Sequence, residues 1–486
     1  MARHFLAPLL ALAFWGAACL APTWAEEAPE AIKPENQEEY YELYKVFADT
    51  LDQVERNYVK GISRRELMEA AIKGVLDKLD PYSSYINPEE ISRFKTSVES
   101  QFGGIGIQIS VDEQGRLTIL SPLVGTPAYR AGLLAGDHIV EIEGQTTVGI
   151  TVDEAVRRLK GEAGTSVTLS VMHVNGSDRQ TVTLKREIVR VETVLGDKRK
   201  SDDSWDFLLD PDSRIGYIRL TAFSRDTSTD LRKALDELKK QNFRGLVLDL
   251  RFNPGGLLTS AIDISDLFVG EGKIVSTEGR NSPARTWDAQ KPGTLDGFPM
   301  VVLVNRYSAS ASEIVSACLQ DHNRAVIVGE RTWGKGSVQN VIELEDGKSA
   351  LKLTTASYQR PSGKNIHRFP DAKETDEWGV TPNEGFMVQL SDSEMVDLVQ
   401  YRRARDIVHG LKTTPATLEA PASGETPAPT ETPATDKPAP ETPATETPAA
   451  DPATPEAAAE APVQPVPDRQ LQKALDYLSG EFAQAK

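Results

Sequence analysis

The sequence predicts an α/β protein with two cores: a small α+β domain rich in short strands, then a larger α/β layer, with a helical arm before them and one more helix at the far end. Three observations predict this class. Apolar residues spaced by three and four mark both ends, glycine-broken strand-like runs fill residues 102–185, and strands alternate with helices from 214 to 357. The 486 residues agree with about three domains at roughly 150 each. Hydrophobic residues at 39% and charged residues at 26% permit packed cores and exclude a wholly disordered chain. A formal net charge of −18 argues against a surface built for nucleic acid. Two cysteines, Cys19 and Cys318, cannot build a disulfide framework, and six scattered histidines without HExxH give no metal motif. No metal or organic cofactor is expected.

The first element is a targeting segment. Arg3 and His4 precede the apolar run Phe5 to Leu20, and Thr23-Trp24-Ala25 supplies small residues at −3 and −1, so residues 1–25 read as a secretory signal cut after Ala25. About 16 apolar residues fall short of the roughly 20 that span a bilayer. A lipid-modified Cys19 is the weaker alternative, because Gly16 stands where a lipobox wants leucine. The mature chain is therefore expected outside the cytoplasm, periplasmic or otherwise exported, with Cys318 as its one thiol, buried and inert.

A helical region follows over 26–96. Tyr40, Tyr44, Phe47, Leu51, Val54 and Tyr58 fall on one helical face, and a second helix is expected from Arg64 to Leu79. An arm this short has little core of its own, so the stripe reads either as a core face or as a docking or dimerisation face.

Residues 97–187 form the strand-rich domain, with runs at Ile105–Ile109, Leu117–Leu120, His138–Ile142, Val167–Val171 and Gln180–Leu184 and one helix at Val152–Leu159. Gly103-Gly104-Ile105-Gly106-Ile107 opens into the first strand, where converging backbone N–H groups can hold a carboxylate while the strand edge pairs with an extended peptide. With Ser121-Pro122, Pro127-Ala128, Ala131-Gly132-Leu133, Gly136-Asp137-His138-Ile139-Val140 and Glu143-Gly144, this stretch resembles a PDZ domain over about 90 residues.

Residues 188–412 carry the α/β layer: Ile215–Leu220, helix Ser228–Lys240, Leu246–Leu250, helix Leu257–Phe268, Met300–Val304, helix Ala311–Leu319, Ala325–Val328, then a hairpin of Val338–Leu344 and Ser349–Thr355. Residues 413–467 break the pattern, with 14 of the chain's 30 prolines, no aromatic residue, a net charge of −8 and four copies of Glu-Thr-Pro-Ala. This composition predicts a disordered linker of extended character. Order is expected to return at 468–486, where Leu471, Leu475, Leu478 and Phe482 give an amphipathic helix.

Three segments carry chemistry. Asn305-Arg306-Tyr307-Ser308-Ala309-Ser310-Ala311-Ser312-Glu313 sets small hydroxyl residues between a buried strand and a helix, where backbone N–H groups can face an oxyanion, although Ser308 or Ser312 with Glu313 could equally be a helix cap. Gly334-Lys335-Gly336-Ser337-Val338-Gln339 offers a lysine flanked by glycines, with Gln339 on the same side if the segment is extended. A desolvated amine can deprotonate a serine. A phosphate loop fits Gly329, Gly334 and Lys335 by spacing but lacks the following Ser or Thr. The third segment, Asp249-Leu250-Arg251-Phe252-Asn253-Pro254-Gly255-Gly256, is a βα turn whose N–H groups suit a developing oxyanion.

These segments, the upstream PDZ-like domain and Leu79-Asp80-Pro81-Tyr82-Ser83 together resemble the carboxy-terminal processing, or tail-specific, proteases, from about Tyr40 to about Pro382. The resemblance implies a serine endopeptidase with crotonase-like βαβ layers and a PDZ domain preceding or inserted in them. It places the nucleophile on Ser310, the base on Lys335, the orienting amide on Gln339, and the oxyanion-hole donors on the N–H groups of Gly256 and Ala311. It further implies envelope proteins with exposed C-termini as substrates, an envelope adaptor as a partner, and a homo-oligomer built through the terminal helices. Departures occur at Gly379-Val380-Thr381-Pro382-Asn383, where relatives commonly end in Asp, in the charged stretch Arg368 to Trp378, and at Lys160, where relatives often carry Arg. They bear on assembly and gating. A PDZ binding scaffold with an inactive core is the competing reading, and a crotonase-like acyl-transfer enzyme leaves the PDZ-like domain unexplained.

Overall fold

The computed structural model describes residues 35–91, 94, 101–174, 179–408 and 466–484. The signal segment with Cys19 and Ala25, and residues 413–465 of the proline-rich segment, lie outside the described residues. The chain divides into two units, residues 1–75 and 76–486.

The first unit holds helix Glu35–Asn57 and most of helix Arg64–Leu76. Ser63 starts the second helix through a capping box: its hydroxyl accepts from Glu66 N–H at 3.2 Å, and the Glu66 carboxylate accepts from Ser63 N–H at 2.9 Å. This helix stops at Leu76, three residues before the expected Leu79, in a turn closed by Leu79 N–H on the Leu76 carbonyl. On the first helix Tyr40, Tyr44 and Phe47 are exposed.

In the second unit, strands Ile215–Leu220, Gly245–Asp249, Met300–Val304 and Val326–Gly329 lie side by side in that order and run parallel, with Val194–Leu195 antiparallel at one edge. A parallel sheet covered on both faces needs near-continuous apolar strands, and every residue of the second and third strands is buried. Ile218, Leu220, Leu246, Leu248, Val302 and Val304 face helices Thr227–Lys240, Leu258–Asp266 and Ala311–Asp321. The alternate residues Tyr217, Val247, Val301 and Leu303 face helix Arg469–Gln484, whose Ala474 and Leu478 are fully buried and whose Leu471, Leu475 and Phe482 pack around them. The C-terminal stripe, expected to pair with another copy, is thus covered by this chain's own sheet, whose second face would otherwise lie open to water.

A second sheet centres on Ser349–Gln359, which pairs with Ser337–Leu344, Lys273–Gly279 and, from far upstream, Ser84–Ile86. That last strand lies inside the region expected to be helical. It places the PDZ-like domain as an insertion between two strands of the larger α/β core. Also absent from the sequence reading were the hairpin Lys273–Gly279 with Ser282–Asp288 and the helix Asp392–Asp406, which starts at a Ser391/Glu394 capping box.

The PDZ sheet runs Ile107–Val111, Leu117–Pro122, His138–Ile142, Ser166–Met172, Arg179–Lys185 over a core of Ile119, Ile139, Ile142, Val167, Leu169 and Val171. Its first strand begins at Ile107 rather than Ile105, because the Ile105 carbonyl accepts from Ala128 N–H and its side chain is buried. Among the described residues strand Ile107–Val111 pairs on one edge only, and helix Val152–Leu159, capped by Thr151, packs near it.

Candidate active site

Strand Met300–Val304 delivers the hydroxyl-rich segment, and the structure separates its three serines. Ser308 is buried, with its hydroxyl donating to the Leu250 carbonyl at 2.8 Å and accepting from Asn305 N–H at 2.9 Å. Ser312 is buried as well and donates to the Asn253 carbonyl at 3.0 Å. Ser310 alone is half-buried, at the N-terminus of helix Ala311–Asp321, with φ +56° and ψ −115°. A non-glycine residue in that region is strained and persists only where its surroundings over-determine it.

Two groups of contacts do so. Gly255 presses against the serine: a Cβ there would stand 2.7 Å from Ser310 Cβ and 2.7 Å from the Ala309 carbonyl oxygen. Glu313, fully buried, accepts from Ser310 N–H and Lys335 N–H through Oε2, both at 2.8 Å, and from Gly334 N–H at 2.7 Å and the Thr332 hydroxyl at 2.6 Å through Oε1. Burial pushes its carboxyl up, and these four hydrogen bonds pull in the opposite sense without cancelling it. One carboxylate therefore joins the serine loop to the lysine loop. The sequence reading saw Glu313 only as a helix cap, since its remaining donors come from residues 332–335, too distant for a local signature.

The Arg251–Gly256 turn lies beside Ser310, tied by Ala309 N–H to the Asn253 carbonyl at 3.1 Å. Gly255 N–H is spent on Asn253 Oδ1 at 2.8 Å. Gly256 is exposed, and a Cβ on it would meet the Phe223 carbonyl oxygen at 2.2 Å. Among the described residues the N–H groups of Gly256 and Ala311 have no acceptor, which leaves both for a ligand oxygen.

Lys335 is half-buried. Burial lowers its pKa, the nearby Lys352 ammonium lowers it further, and Glu313 and Asp80 oppose both. Its Nζ stands 5.1 Å from the centre of the Tyr82 ring, and its carbonyl accepts from the buried Tyr358 hydroxyl. Among the described residues no hydrogen bond joins Lys335 Nζ to Ser310. The Gln339 amide donates instead to Ser337 Oγ at 2.8 Å and Thr354 Oγ1 at 3.3 Å. Thr354 N–H in turn donates to Ser83 Oγ at 3.1 Å, and Ser83 donates to Asp80 Oδ2 at 2.8 Å. The Leu79–Ser83 segment is thus one wall of the site. The charged stretch Arg368 to Trp378 packs on the lysine loop: Arg368 N–H donates to the Gly334 carbonyl at 2.8 Å, and the Arg331 and Arg368 guanidiniums stand 3.7 and 4.4 Å from the Trp378 ring.

In the PDZ domain Gly103 and Gly104 pair with strand Glu187–Arg190, while the Gly106 carbonyl accepts from Leu123 N–H and the Thr126 hydroxyl. Gly106 has φ +78°, and a Cβ on it would meet Thr126 Cβ at 2.3 Å, so only glycine fits. Lys160 stands 4.6 Å from the Phe102 ring centre beside this loop. Among the described residues no group of three or more His, Cys, Asp or Glu side chains is placed to hold a metal. Cys318 is buried, its thiol pushed up to about 12 by burial.

Comparison with known proteins matches residues 214–384 to peptidase family S41, residues 118–171 to a PDZ domain and residues 12–90 to the N-terminal domain of the activating protease CtpB. A carboxy-terminal-processing protease of Bartonella bacilliformis is 36% identical over 393 residues, covering 78% of this chain and 85% of that relative. The carboxy-terminal processing protease CtpA of Bacillus subtilis is 36% identical over 319 residues, 65% of each chain. Among solved structures, the photosystem II D1 C-terminal processing protease aligns with 76% of this chain and 92% of its own at 30% identity, with a TM-score of 0.40.

Proposed function

Because the chain belongs to the carboxy-terminal processing proteases of peptidase family S41, and carries their PDZ domain, we propose that it is an exported endopeptidase that captures the C-terminal tails of envelope proteins and cuts them with a Ser310/Lys335 dyad. The observation that carries the reading is Ser310 itself, held at positive φ beside two unspent N–H groups, with a partly desolvated lysine on a loop that shares its carboxylate anchor. Neutral Lys335 takes the hydroxyl proton as Ser310 Oγ attacks the scissile carbonyl, and the N–H groups of Gly256 and Ala311 hold the oxyanion. As the C–N bond breaks, Lys335 returns the proton to the leaving amine. Water, deprotonated by the same lysine, then releases the acyl group. Gln339 orients the lysine once its amide turns from Ser337.

The open edge of strand Ile107–Val111 suits an added peptide strand, and Gly103–Ile107 its carboxylate. The four parallel strands, with three helices on one face, the C-terminal helix on the other and the second sheet packed beyond the three, support the crotonase-like layering. The apolar leader supports export with cleavage after Ala25. Exposed Tyr40, Tyr44 and Phe47 support assembly with a second copy through the first helix, with an envelope adaptor as the alternative occupant. The missing Ser310–Lys335 hydrogen bond favours, as a second reading, a PDZ scaffold whose core rests inactive.

One assay separates the two readings: hydrolysis of an apolar-tailed peptide, as free acid and as C-terminal amide, by the mature chain and by Ser310→Ala. Cleavage by the mature chain only, weaker for the amide, supports the protease. Equal products from both proteins overturn the dyad, and equal cleavage of acid and amide overturns carboxylate capture.

A further inference from the structure

Beneath the Arg251–Gly256 turn lies a buried set of four charges. Asp249 ends its strand fully buried, and two guanidiniums meet its carboxylate: Arg251 Nη2 at 2.7 Å with Nε at 3.1 Å from both oxygens, and Arg402 from helix Asp392–Asp406. Two cations on one carboxylate leave an uncompensated positive charge in the core. Asp468 compensates it. Its two oxygens accept from Arg251 Nη1 and Nη2, each at 2.8 Å, in a two-pronged pair, and Gln470, also fully buried, adds Oε1 to Nη1 at 3.0 Å. Burial alone would raise both carboxyls, yet the guanidiniums hold both below their ordinary range.

Asp468 and Gln470 are not neighbours of Arg251 by any local logic. They stand at the start of the C-terminal helix, beyond the proline-rich segment. Arg469 fixes the same end by donating to Glu394 at 2.8 and 3.0 Å and to the Gln389 carbonyl at 2.8 Å, while Gln470 Nε2 donates to the Val388 carbonyl at 2.8 Å. Three of the hydrogen bonds made by the Arg251 guanidinium therefore come from a segment more than 200 residues downstream. Without them Arg251 would compete with Arg402 for Asp249 alone, and any swing of its side chain pulls on the backbone that leads to Gly255 and Gly256.

We infer that the C-terminal helix, through Asp468 on Arg251, is a positioning element of the protease that sets the conformation of the turn carrying the Gly256 N–H. This rests on the proposed reading that Gly256 is an oxyanion donor. A cover for the sheet alone would need only Ala474, Leu478 and their apolar neighbours. It gives no reason for a buried two-pronged pair aimed at the base of this turn.

The test compares the full mature chain with Asp468→Asn, Asp468→Glu and Leu478→Ala, the last loosening the apolar seat while keeping the ion pair. Peptide hydrolysis should show kcat reduced about tenfold or more in Asp468→Asn with KM within about twofold, because misplaced donors act on the transition state. Asp468→Glu should recover part of the loss, and Leu478→Ala should lower the melting temperature with a smaller change in kcat. Hydrogen exchange of the amides of residues 252–257, read without any substrate, should speed up in Asp468→Asn and not in Leu478→Ala. Wild-type kcat together with unchanged exchange in a folded Asp468→Asn overturns the inference. If Asp468→Asn does not fold, a cleavage site placed within residues 421–462 of the full chain decides the matter. Once cut and freed of its helix, the protein should lose turnover and regain it on adding a peptide of residues 466–486, and not with the Asp468→Asn peptide; equal rescue by both overturns the inference. Should the wild-type chain and Ser310→Ala be equally inactive, the protease reading fails, while the exchange measurement still judges the clamp.

Discussion

Replacing Glu313 by Gln should disable the enzyme more than any other single change outside the dyad. The two carboxylate oxygens serve two donors each, Ser310 and Lys335 N–H on one, Gly334 N–H and Thr332 hydroxyl on the other. An amide has one acceptor oxygen, so whichever way it turns, two buried donors meet an NH2 group. Hydrogen bonds to a charged acceptor contribute about 1.5–3 kcal/mol each, so the two lost bonds come to about 3–6 kcal/mol. Relief of the buried charge, which burial already disfavours in Glu313, returns part of this. A net loss of about 3 kcal/mol lowers the melting temperature by about 5–10 °C. The effect on turnover should be of similar size, because the Ser310 N–H bond to Glu313 helps hold the strained φ of +56°. A drop in kcat of about a hundredfold is expected, the scale of one misplaced oxyanion donor. Thermal melting by circular dichroism and peptide hydrolysis measure the two effects. Thr332→Val removes one donor and keeps the carboxylate, and should retain most of the turnover. If Glu313→Gln keeps wild-type kcat and melting temperature, the shared anchor does not hold the site together.

Ser310→Ala and Lys335→Ala should each abolish hydrolysis, with the double variant no worse than either, because the pair acts as a unit; additive losses in single-turnover assays would contradict this. By contrast, Ser308→Ala and Ser312→Ala should keep substantial turnover and each lose about 1 kcal/mol of stability in urea melts, since both hydroxyls are spent on backbone carbonyls. kcat/KM should rise with pH through the lowered pKa of Lys335 and level off once the amine is neutral, below the range of an ordinary lysine. A profile flat over that whole range would refute a lysine base.

How much of this was legible in the sequence follows from where the signals lie. The parallel strands were legible because apolar runs such as Met300–Val304 are buried on both faces and read the same in any context. Strand Ser84–Ile86 was not, since three residues carry no period and its partner at 350–352 lies beyond the whole PDZ insertion. The C-terminal stripe reads in the sequence as a face for another copy or an adaptor, whereas it lies on this chain's own sheet, because amphipathicity says that a face needs a cover and nothing about which surface supplies it. The same limit governs the site. Glycine-rich turns and the hydroxyl run announce themselves locally, whereas Tyr82, Thr354 and the donors that residues 332–335 send to Glu313 matter only through contacts that chain spacing does not encode.

The placement of Glu313 also bears on how a lysine can serve as base beside a carboxylate. A negative charge nearby favours the ammonium, and Glu313 does oppose the lowering of the Lys335 pKa. The opposition is blunted because the carboxylate's lone pairs are directed at three backbone N–H groups and one hydroxyl rather than at Nζ. Burial and the Lys352 ammonium then win, and the amine loses its proton more readily than an exposed lysine. Protonating Glu313, whose pKa is raised, would free those lone pairs' partners and loosen both loops. On the acid side, therefore, the proposed mechanism predicts that activity falls for two separate reasons, first a protonated Lys335 and then a slackened frame. The two can be told apart, because the first reverses at once on raising the pH without any change in amide exchange around Ser310 and Lys335, whereas the second exposes those amides.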